Sequence, residues 1–228
     1  RPHPLPARAG QLSVAAVSDA VYFVGAPRDV AGLSLGVVAR SRKESERRLA
    51  IHPLHIKRIA ADLRDRIYLE RGYGEGFGVP DEQLRPYVAG LRARAELFAE
   101  CDVILLPKPQ LPDLEQMRDR QVLWGWPHCV QDQAVTQLSV ERRLTLIAFE
   151  AMNYWSADGS FSLHVFHKNN EMAGYCSVLH ALELAGRTGE YGRRLRAAVI
   201  SFGAAGRGAV TALNAHVISS PRRAVFNV

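Results

Sequence analysis

Hydrophobic positions along this chain fall in short runs separated by charged or glycine-rich turns, and the runs alternate with stretches of helical spacing. Leu35 to Ala39 is the first such run; the charged turn Arg40 to Arg47 follows it, and Leu54 to Leu63 then carries apolar residues at helical spacing. Arg66 to Leu69 reads as a second strand and enters Arg71-Gly72-Tyr73-Gly74-Glu75-Gly76-Phe77-Gly78, where glycine supplies backbone freedom. Val103 to Leu106 reads as a third, ended by Pro107 and Pro109, which have no amide hydrogen to continue pairing. Gln121 to Trp124 and Leu144 to Phe149 repeat the pattern around a helical Ala134 to Val140. Short apolar strands alternating with helices predict βαβ units, a mainly parallel sheet and an α/β fold.

From Asn170 the pattern becomes that of one long helix. Met172, Tyr175, Cys176, Leu179, Leu182 and Leu184 would form its apolar stripe, Asn169 or Asn170 its N-cap and Gly186 its C-terminal glycine. Such a helix can join two domains. After the polar stretch Arg187 to Arg196, Ala197 to Ile200 reads as a strand, Ser201 to Gly208 as a glycine turn and Ala209 to Ala215 as a helix.

That turn has the order of a dinucleotide site, in which glycines let the strand turn tightly, the backbone approach the pyrophosphate and the helix pack on the strand. Gly203 and Gly206 fill the second and third places, while Ser201 stands at the first. Ser201, Phe202, Gly203, Ala204, Ala205 and Gly206 are therefore the candidate cofactor-binding residues; the alternative is a set of glycines that only tightens strand-to-helix packing. Methyl-donor nucleotides use similar turns, so the motif leaves the cofactor's identity open. Where a ribose-binding carboxylate would stand, about 20 residues on, the chain has Ser219, Ser220, Arg222 and Arg223. At the end of a strand Val217 to Ser219, those arginines would suit a 2′-phosphate and favour NADP over NAD; a frayed basic tail is the other reading.

Composition narrows the partners. The chain has 228 residues, 47% hydrophobic and 23% charged, an ordinary globular balance, and a net charge of +6. Its lysines are few (Lys43, Lys57, Lys108 and Lys168), and its arginines are scattered without interleaved aromatics, which favours anionic small molecules over nucleic acid. No apolar run reaches the ~18 residues of a membrane span. Cys101, Cys129 and Cys176 have neither disulfide-framework nor metal-ligand spacing, so no metal is expected and a reducing cytoplasm is. Arg1 to Gly10 is Pro/Arg-rich and expected to be mobile, and Asp19 argues against a signal peptide in Leu12 to Val24. The pattern stops at Val228 with the next repeat unit unbuilt. A truncated chain is therefore expected, whose open sheet edge would invite association, including homo-oligomers.

Four side chains follow predicted strands at the sheet end where α/β proteins bind ligands. Arg47 and Arg48 lie between the first strand and helix, and either could fork onto a carboxylate, although adjacent arginines are more often simply solvated. Lys108 is held between two prolines. His128, in Trp124-Gly125-Trp126-Pro127-His128, has the titration range for acid/base work, or is a satisfied histidine under aromatic cover. His52, His55, His164, His167, His180 and His216 show no pairing that points to a metal.

Taken together, these segments are familiar. Arg42-Lys43-Glu44 followed by Glu46-Arg47-Arg48-Leu49-Ala50-Ile51-His52-Pro53 resembles the N-terminal signature of the alanine dehydrogenase and pyridine nucleotide transhydrogenase superfamily. Glu70-Arg71-Gly72-Tyr73-Gly74, Arg94-Ala95-Glu96-Leu97-Phe98-Ala99-Glu100, Gly125-Trp126-Pro127-His128 and Lys168-Asn169-Asn170-Glu171-Met172-Ala173-Gly174-Tyr175 are most similar to its carboxyethyl-ornithine synthase branch. The resemblance, over about Leu35 to Ala215, implies a substrate domain at residues 34–168, then a linking helix and the start of a Rossmann-type NAD(P)-binding domain at 169–228, with 1–33 unassigned. It implies an NAD(P)H-dependent reductase that condenses a 2-oxo acid such as pyruvate with an amine or amino acid. Within the same superfamily, alanine dehydrogenase is the alternative; outside enzymes, it is a non-catalytic module. Arg48 falls on the family's substrate-carboxylate arginine, Lys108 on its substrate lysine and His128 on its catalytic histidine. The family's active-site aspartate and the rest of its cofactor domain have no counterpart in this sequence.

Overall fold

A computed structural model describes residues 32–187 and 197–215 and the backbone of Ala224–Phe226. The expected mobile N-terminus and the basic segment with Ser219, Ser220, Arg222 and Arg223 lie outside the described residues. The chain divides into two compact units between Leu146 and Ile147, so residues 147–168 group with the second unit.

A six-stranded sheet organises the first unit. Its strands are β1 (Leu35–Val37), β2 (Ile67–Glu70), β3 (Gly90–Arg92), β4 (Val103–Leu105), β5 (Val122–Gly125) and β6 (Thr145–Ala148), in the order β3-β2-β1-β4-β5-β6. β1 pairs in parallel with both β2 and β4, with Leu35 opposite Ile67 and Val103; β2–β3 and β4–β5 are also parallel. This is the doubly wound α/β order, and it reverses between β1 and β4. Helices α1 (Ala61–Arg64), α2 (Asp81–Leu84), α3 (Arg94–Glu100), α4 (Leu111–Leu114) and α5 (Gln133–Glu141) connect the strands.

Parallel strands covered on both faces need nearly continuous apolar runs, and the core supplies them. Ile104, Leu106, Leu97, Phe98, Met117 and Leu123 are almost fully buried in one cluster. α3 starts with the Glu96 carboxylate reaching back to the Ala93 N–H at 2.6 Å, and Asp132 caps α5 by accepting from the Val135 N–H at 3.0 Å.

One expected helix is interrupted. In place of a continuous Leu54–Leu63 helix, a 3-10 turn at Pro53–Arg58 gives way to extended backbone at Ile59 and Ala60 before α1. The apolar spacing marks no common buried face: Ile56 is buried, while Leu54 and Leu63 are exposed.

The second unit contains an antiparallel hairpin, β7 (Asn153–Trp155) and β8 (Phe161–His164), with a register irregularity between Tyr154 and Trp155. The long helix α6 (His167–Leu184) follows, then β9 (Ala198–Ile200), α7 (Ala204–Ala215) and β10 (Ala224–Phe226), with β9 and β10 parallel. α6 starts three residues before Asn170, and neither Asn169 nor Asn170 caps it: Phe166 is the N-cap position and makes no side-chain cap bond. Gly186 ends it as expected, at φ +59°, with Gly186 N–H bonded to Glu183 O and Arg187 N–H to Leu182 O, the paired closure of a left-handed C-terminal residue. The predicted apolar stripe is not what α6 buries. Met172, Cys176 and Leu184 are exposed, whereas Gly174 is buried. A Cβ at Gly174 would stand 1.9 Å from Ala205 O and one at Gly208 1.8 Å from Glu171 O, so α6 and α7 pack backbone to backbone through their small residues. Glu171 then bridges to Arg207 Nε at 3.2 Å.

Candidate active site

The first unit carries side chains of opposite charge at the carboxyl ends of β1, β4 and β5, beside the point where the strand order reverses. β4 and β5 do not part after their last paired residues. Leu106 N–H donates to Trp124 O at 2.9 Å and Trp126 N–H to Pro107 O at 2.8 Å, so the ladder continues past both strand ends. Gly125 makes this possible, because a Cβ there would lie 2.0 Å from Leu106 O. Lys108 and His128 thereby emerge side by side, and Lys108 Nζ is hydrogen-bonded to His128 Nε2.

An ammonium and an imidazolium both only donate, so this contact needs at least one of the two groups unprotonated, and the pair carries at most one positive charge. With the proton on Lys108, Nε2 accepts and Nδ1 keeps the ring hydrogen. His128 is half-buried and its backbone is left-handed, at φ +51°. Its carbonyl accepts from the N–H groups of Gln131 at 2.8 Å and Asp132 at 3.0 Å. A non-glycine residue held there costs about 1 kcal/mol or more, and the turn leading into α5 supports it.

Arg48 reaches the same place from the loop after β1. Its guanidinium lies 4.9 Å from the Trp126 ring centre and Lys108 Nζ 5.5 Å from it, so one indole attracts both cations. Arg48 is also paired within its own loop: Glu46 Oε1 accepts from the Arg48 N–H at 2.9 Å and from Nε at 2.8 Å, and Glu46 Oε2 pairs with the guanidinium's terminal nitrogen. That hydrogen bond is the largest influence holding the Glu46 carboxyl below its ordinary value of 4.5. Arg47, the neighbouring candidate, is exposed.

A buried ionic network fixes the start of this loop. Asp113, 1% exposed, accepts from Arg42 Nε at 2.9 Å, from Arg94 at 2.7 Å and from the Gln110 N–H at 2.9 Å. Arg94 also donates to Arg40 O at 2.8 Å, and Glu70 accepts the Ala39 N–H at 2.7 Å. Farther along, the buried Tyr73 hydroxyl donates to Ile51 O at 2.8 Å and accepts from Ile51 N–H at 3.0 Å; burial pushes its acidity well below that of free tyrosine. Ser41 ties the loop to the β4 exit by donating to Lys108 O at 2.5 Å.

Residues 36–173 match the family model described as alanine dehydrogenase/PNT, N-terminal domain. The chain belongs to this family. Curated relatives include an N(5)-(carboxyethyl)ornithine synthase of Clostridium botulinum, 24% identical over 60% of this chain and 45% of the relative, and an alanine dehydrogenase of Methanococcus maripaludis, 27% identical over 62% and 37%. This chain thus spans about half the length of the curated relatives it matches, or less. A transhydrogenase from Sinorhizobium meliloti has the same fold: TM-score 0.60 and 20% identity, covering 85% of this chain and 57% of that one.

The sequence picked out Arg48, Lys108 and His128 as candidates, but not their neighbours. Arg48 and Lys108 lie against Trp126 and His128 is hydrogen-bonded to Lys108; the place of the indole between two cations has no sequence signature. Glu46 and Asp113 were equally silent as site residues; an acid two positions before the candidate arginine was the available signal for Glu46.

The candidate cofactor residues lie in the second unit. The turn Ser201 to Gly206 leaves parallel strand β9 and opens directly into α7, so the helix includes Ala204 to Gly206 and not only Ala209 to Ala215. Gly206 is required, since its Cβ would lie 2.6 Å from Ser201 O, whereas Gly203 meets only the Ser201 Oγ, at 4.0 Å. Ser201 has φ +74°, a backbone conformation that explains the glycine preference at its position. In shape the strand, turn and helix fit a nucleotide pyrophosphate, with open space beside Gly203. No helix among the described residues is long and apolar enough to cross a membrane.

Proposed function

We propose that the first unit is the substrate-binding half of an NAD(P)H-dependent oxidoreductase of the carboxyethylornithine synthase type, which joins a pyruvate-like 2-oxo acid to an amine or amino acid by reduction. The meeting of Arg48 and Lys108 over Trp126, with His128 hydrogen-bonded to Lys108, carries this reading. Arg48 holds the substrate carboxylate and Lys108 its keto oxygen, which fixes the acid in one orientation and polarises the carbonyl. His128 exchanges a proton with Lys108. It protonates the oxygen that leaves as water when amine and keto acid condense, and accepts that proton back in the reverse direction. A nicotinamide nucleotide, when bound, supplies the hydride that the resulting C=N carbon accepts. Residues Ser201 to Gly206 would hold its pyrophosphate at the start of α7; Arg222 and Arg223 precede β10, the strand parallel to β9, and do not follow it as a 2′-phosphate site would, so the expected preference for NADP does not rest on them.

Oxidation of NADPH or NADH in the presence of pyruvate and either ornithine or ammonia tests the reading. Dependence on ornithine supports the synthase. Dependence on ammonia alone gives the alanine dehydrogenase reading, which the Methanococcus maripaludis relative favours. Pyruvate binding without nucleotide oxidation gives a non-catalytic module, the reading favoured by the left-handed serine in the glycine turn.

A further inference from the structure

The carboxylate of Glu46 stands inside this cluster with no part in the reaction described above. Its side chain is only 7% exposed although Arg48's is 45% exposed, and it grips both the backbone and the guanidinium of Arg48. Glu46 therefore does two separable things: it fixes where Arg48 points, and it places a permanent negative charge beside the cations. Lys108 adds to the influences that keep it ionised. The charges at the site then follow from the contacts. Among these groups Arg48 contributes one positive charge, the Lys108–His128 pair at most one more, and Glu46 one negative, leaving a surplus of at most one positive charge. A 2-oxo acid with one carboxylate neutralises that surplus; a dicarboxylic one brings a second negative charge into the field of Glu46.

We propose that Glu46 is a positioning and specificity-determining residue that holds Arg48 over Trp126 and selects 2-oxo acids with a single carboxylate against dicarboxylic ones. This rests on the reading that Arg48 and Lys108 bind a 2-oxo acid. The selection comes from repulsion of the wrong ligand, the effective route where two ligands share their attractive contacts.

The test compares pyruvate with 2-oxoglutarate by saturation-transfer NMR on the whole chain. The wild type binds pyruvate more tightly. Glu46→Gln keeps hydrogen-bond acceptance from Arg48 but loses the charge, and improves 2-oxoglutarate binding relative to pyruvate by about tenfold, a size set by one partly screened charge. Glu46→Ala also releases Arg48 and weakens pyruvate as well. Glu46→Asp keeps the charge one methylene farther back and retains a pyruvate preference between those of wild type and Glu46→Gln, which provides a second reading if the glutamine variant fails to fold. Equal changes for both acids in Glu46→Gln, or a preference in Glu46→Asp no different from that of Glu46→Gln, overturn the selective role while leaving the substrate site standing. Binding of neither acid to the wild type overturns both the substrate site and the proposal.

Discussion

The exits of β4 and β5 and the exit of β9 are all strand-to-loop junctions, yet they are held by opposite means. After β4 and β5 the backbone ladder runs on through Leu106–Trp124 and Pro107–Trp126 hydrogen bonds, and the exposed chemistry is carried by the side chains of Lys108 and His128. After β9 the backbone itself is the candidate surface, and Ser201 sits in a left-handed conformation before an open Gly203. A site made of side chains tolerates sequence change except at the few groups that react or permit close approach. A site made of backbone depends on every residue whose conformation it needs, so a single serine for glycine matters there.

Replacing the reacting group should have the largest effect. For the proposed reaction, His128→Ala is expected to lower kcat by roughly 100- to 10,000-fold with a smaller change in KM for the 2-oxo acid, as loss of an acid/base group does. Steady-state kinetics across pH checks this; near-normal turnover at every pH would reduce His128 to a packing residue. Next comes the glycine that lets the ladder continue. Gly125→Ala pushes a methyl group into Leu106 O, 2.0 Å away, and should destabilise the chain by about 3 kcal/mol, measured by urea unfolding. A neutral result would mean that β4 and β5 separate without loss.

How far the sequence revealed these regions depends on where the signal lay. The apolar runs Leu35–Ala39 and Val103–Leu106 announced β1 and β4 because parallel strands buried on both faces carry unbroken hydrophobic residues. β3, Gly90–Arg92, gave no such signal, since its residues are only half-buried. Nor did the hairpin of β7 and β8, whose Tyr154, Trp155 and Phe161 remain exposed. The α6 stripe misled because helical periodicity reports which residues are apolar, whereas the close approach to α7 was decided by Gly174 and Gly208. At the site, Lys108 and His128 stood out as chemistry after strands, and Arg48 through family resemblance. Glu46, Trp126 and Asp113 did not, because their roles exist only once segments distant in sequence meet.

The backbone-built junction offers a smaller and opposite effect. Ser201→Gly removes the left-handed penalty at φ +74° and should stabilise the second unit by up to about 1 kcal/mol, offset in part by glycine's greater unfolded-state entropy. Thermal unfolding reads the change, and a destabilised variant would show that the serine side chain earns its place. The smallest effect belongs to Glu46. Its folded-state pKa is lowered, chiefly by the Arg48 hydrogen bond, so its contribution is fully present above the ordinary carboxylate value of 4.5 and is lost as pH falls through the lowered value. Because Arg48 is nearly half exposed, that contribution should be below about 1 kcal/mol. The stability difference between wild type and Glu46→Gln, followed by urea unfolding against pH, should be flat above pH 4.5 and shrink below it; a difference that grows on acidification would reverse the assignment.

The claim on which the account depends is that Arg48 holds the carboxylate and Lys108 the keto oxygen of a 2-oxo acid beside Trp126. Titration of pyruvate into the wild-type chain and into Arg48→Ala and Lys108→Ala, followed by calorimetry, addresses it directly. Loss of either charge-assisted hydrogen bond should weaken binding about 10- to 100-fold, with both variants still folded. Unchanged pyruvate affinity in both variants would contradict the account and leave Arg48 and Lys108 as surface charges gathered by an indole.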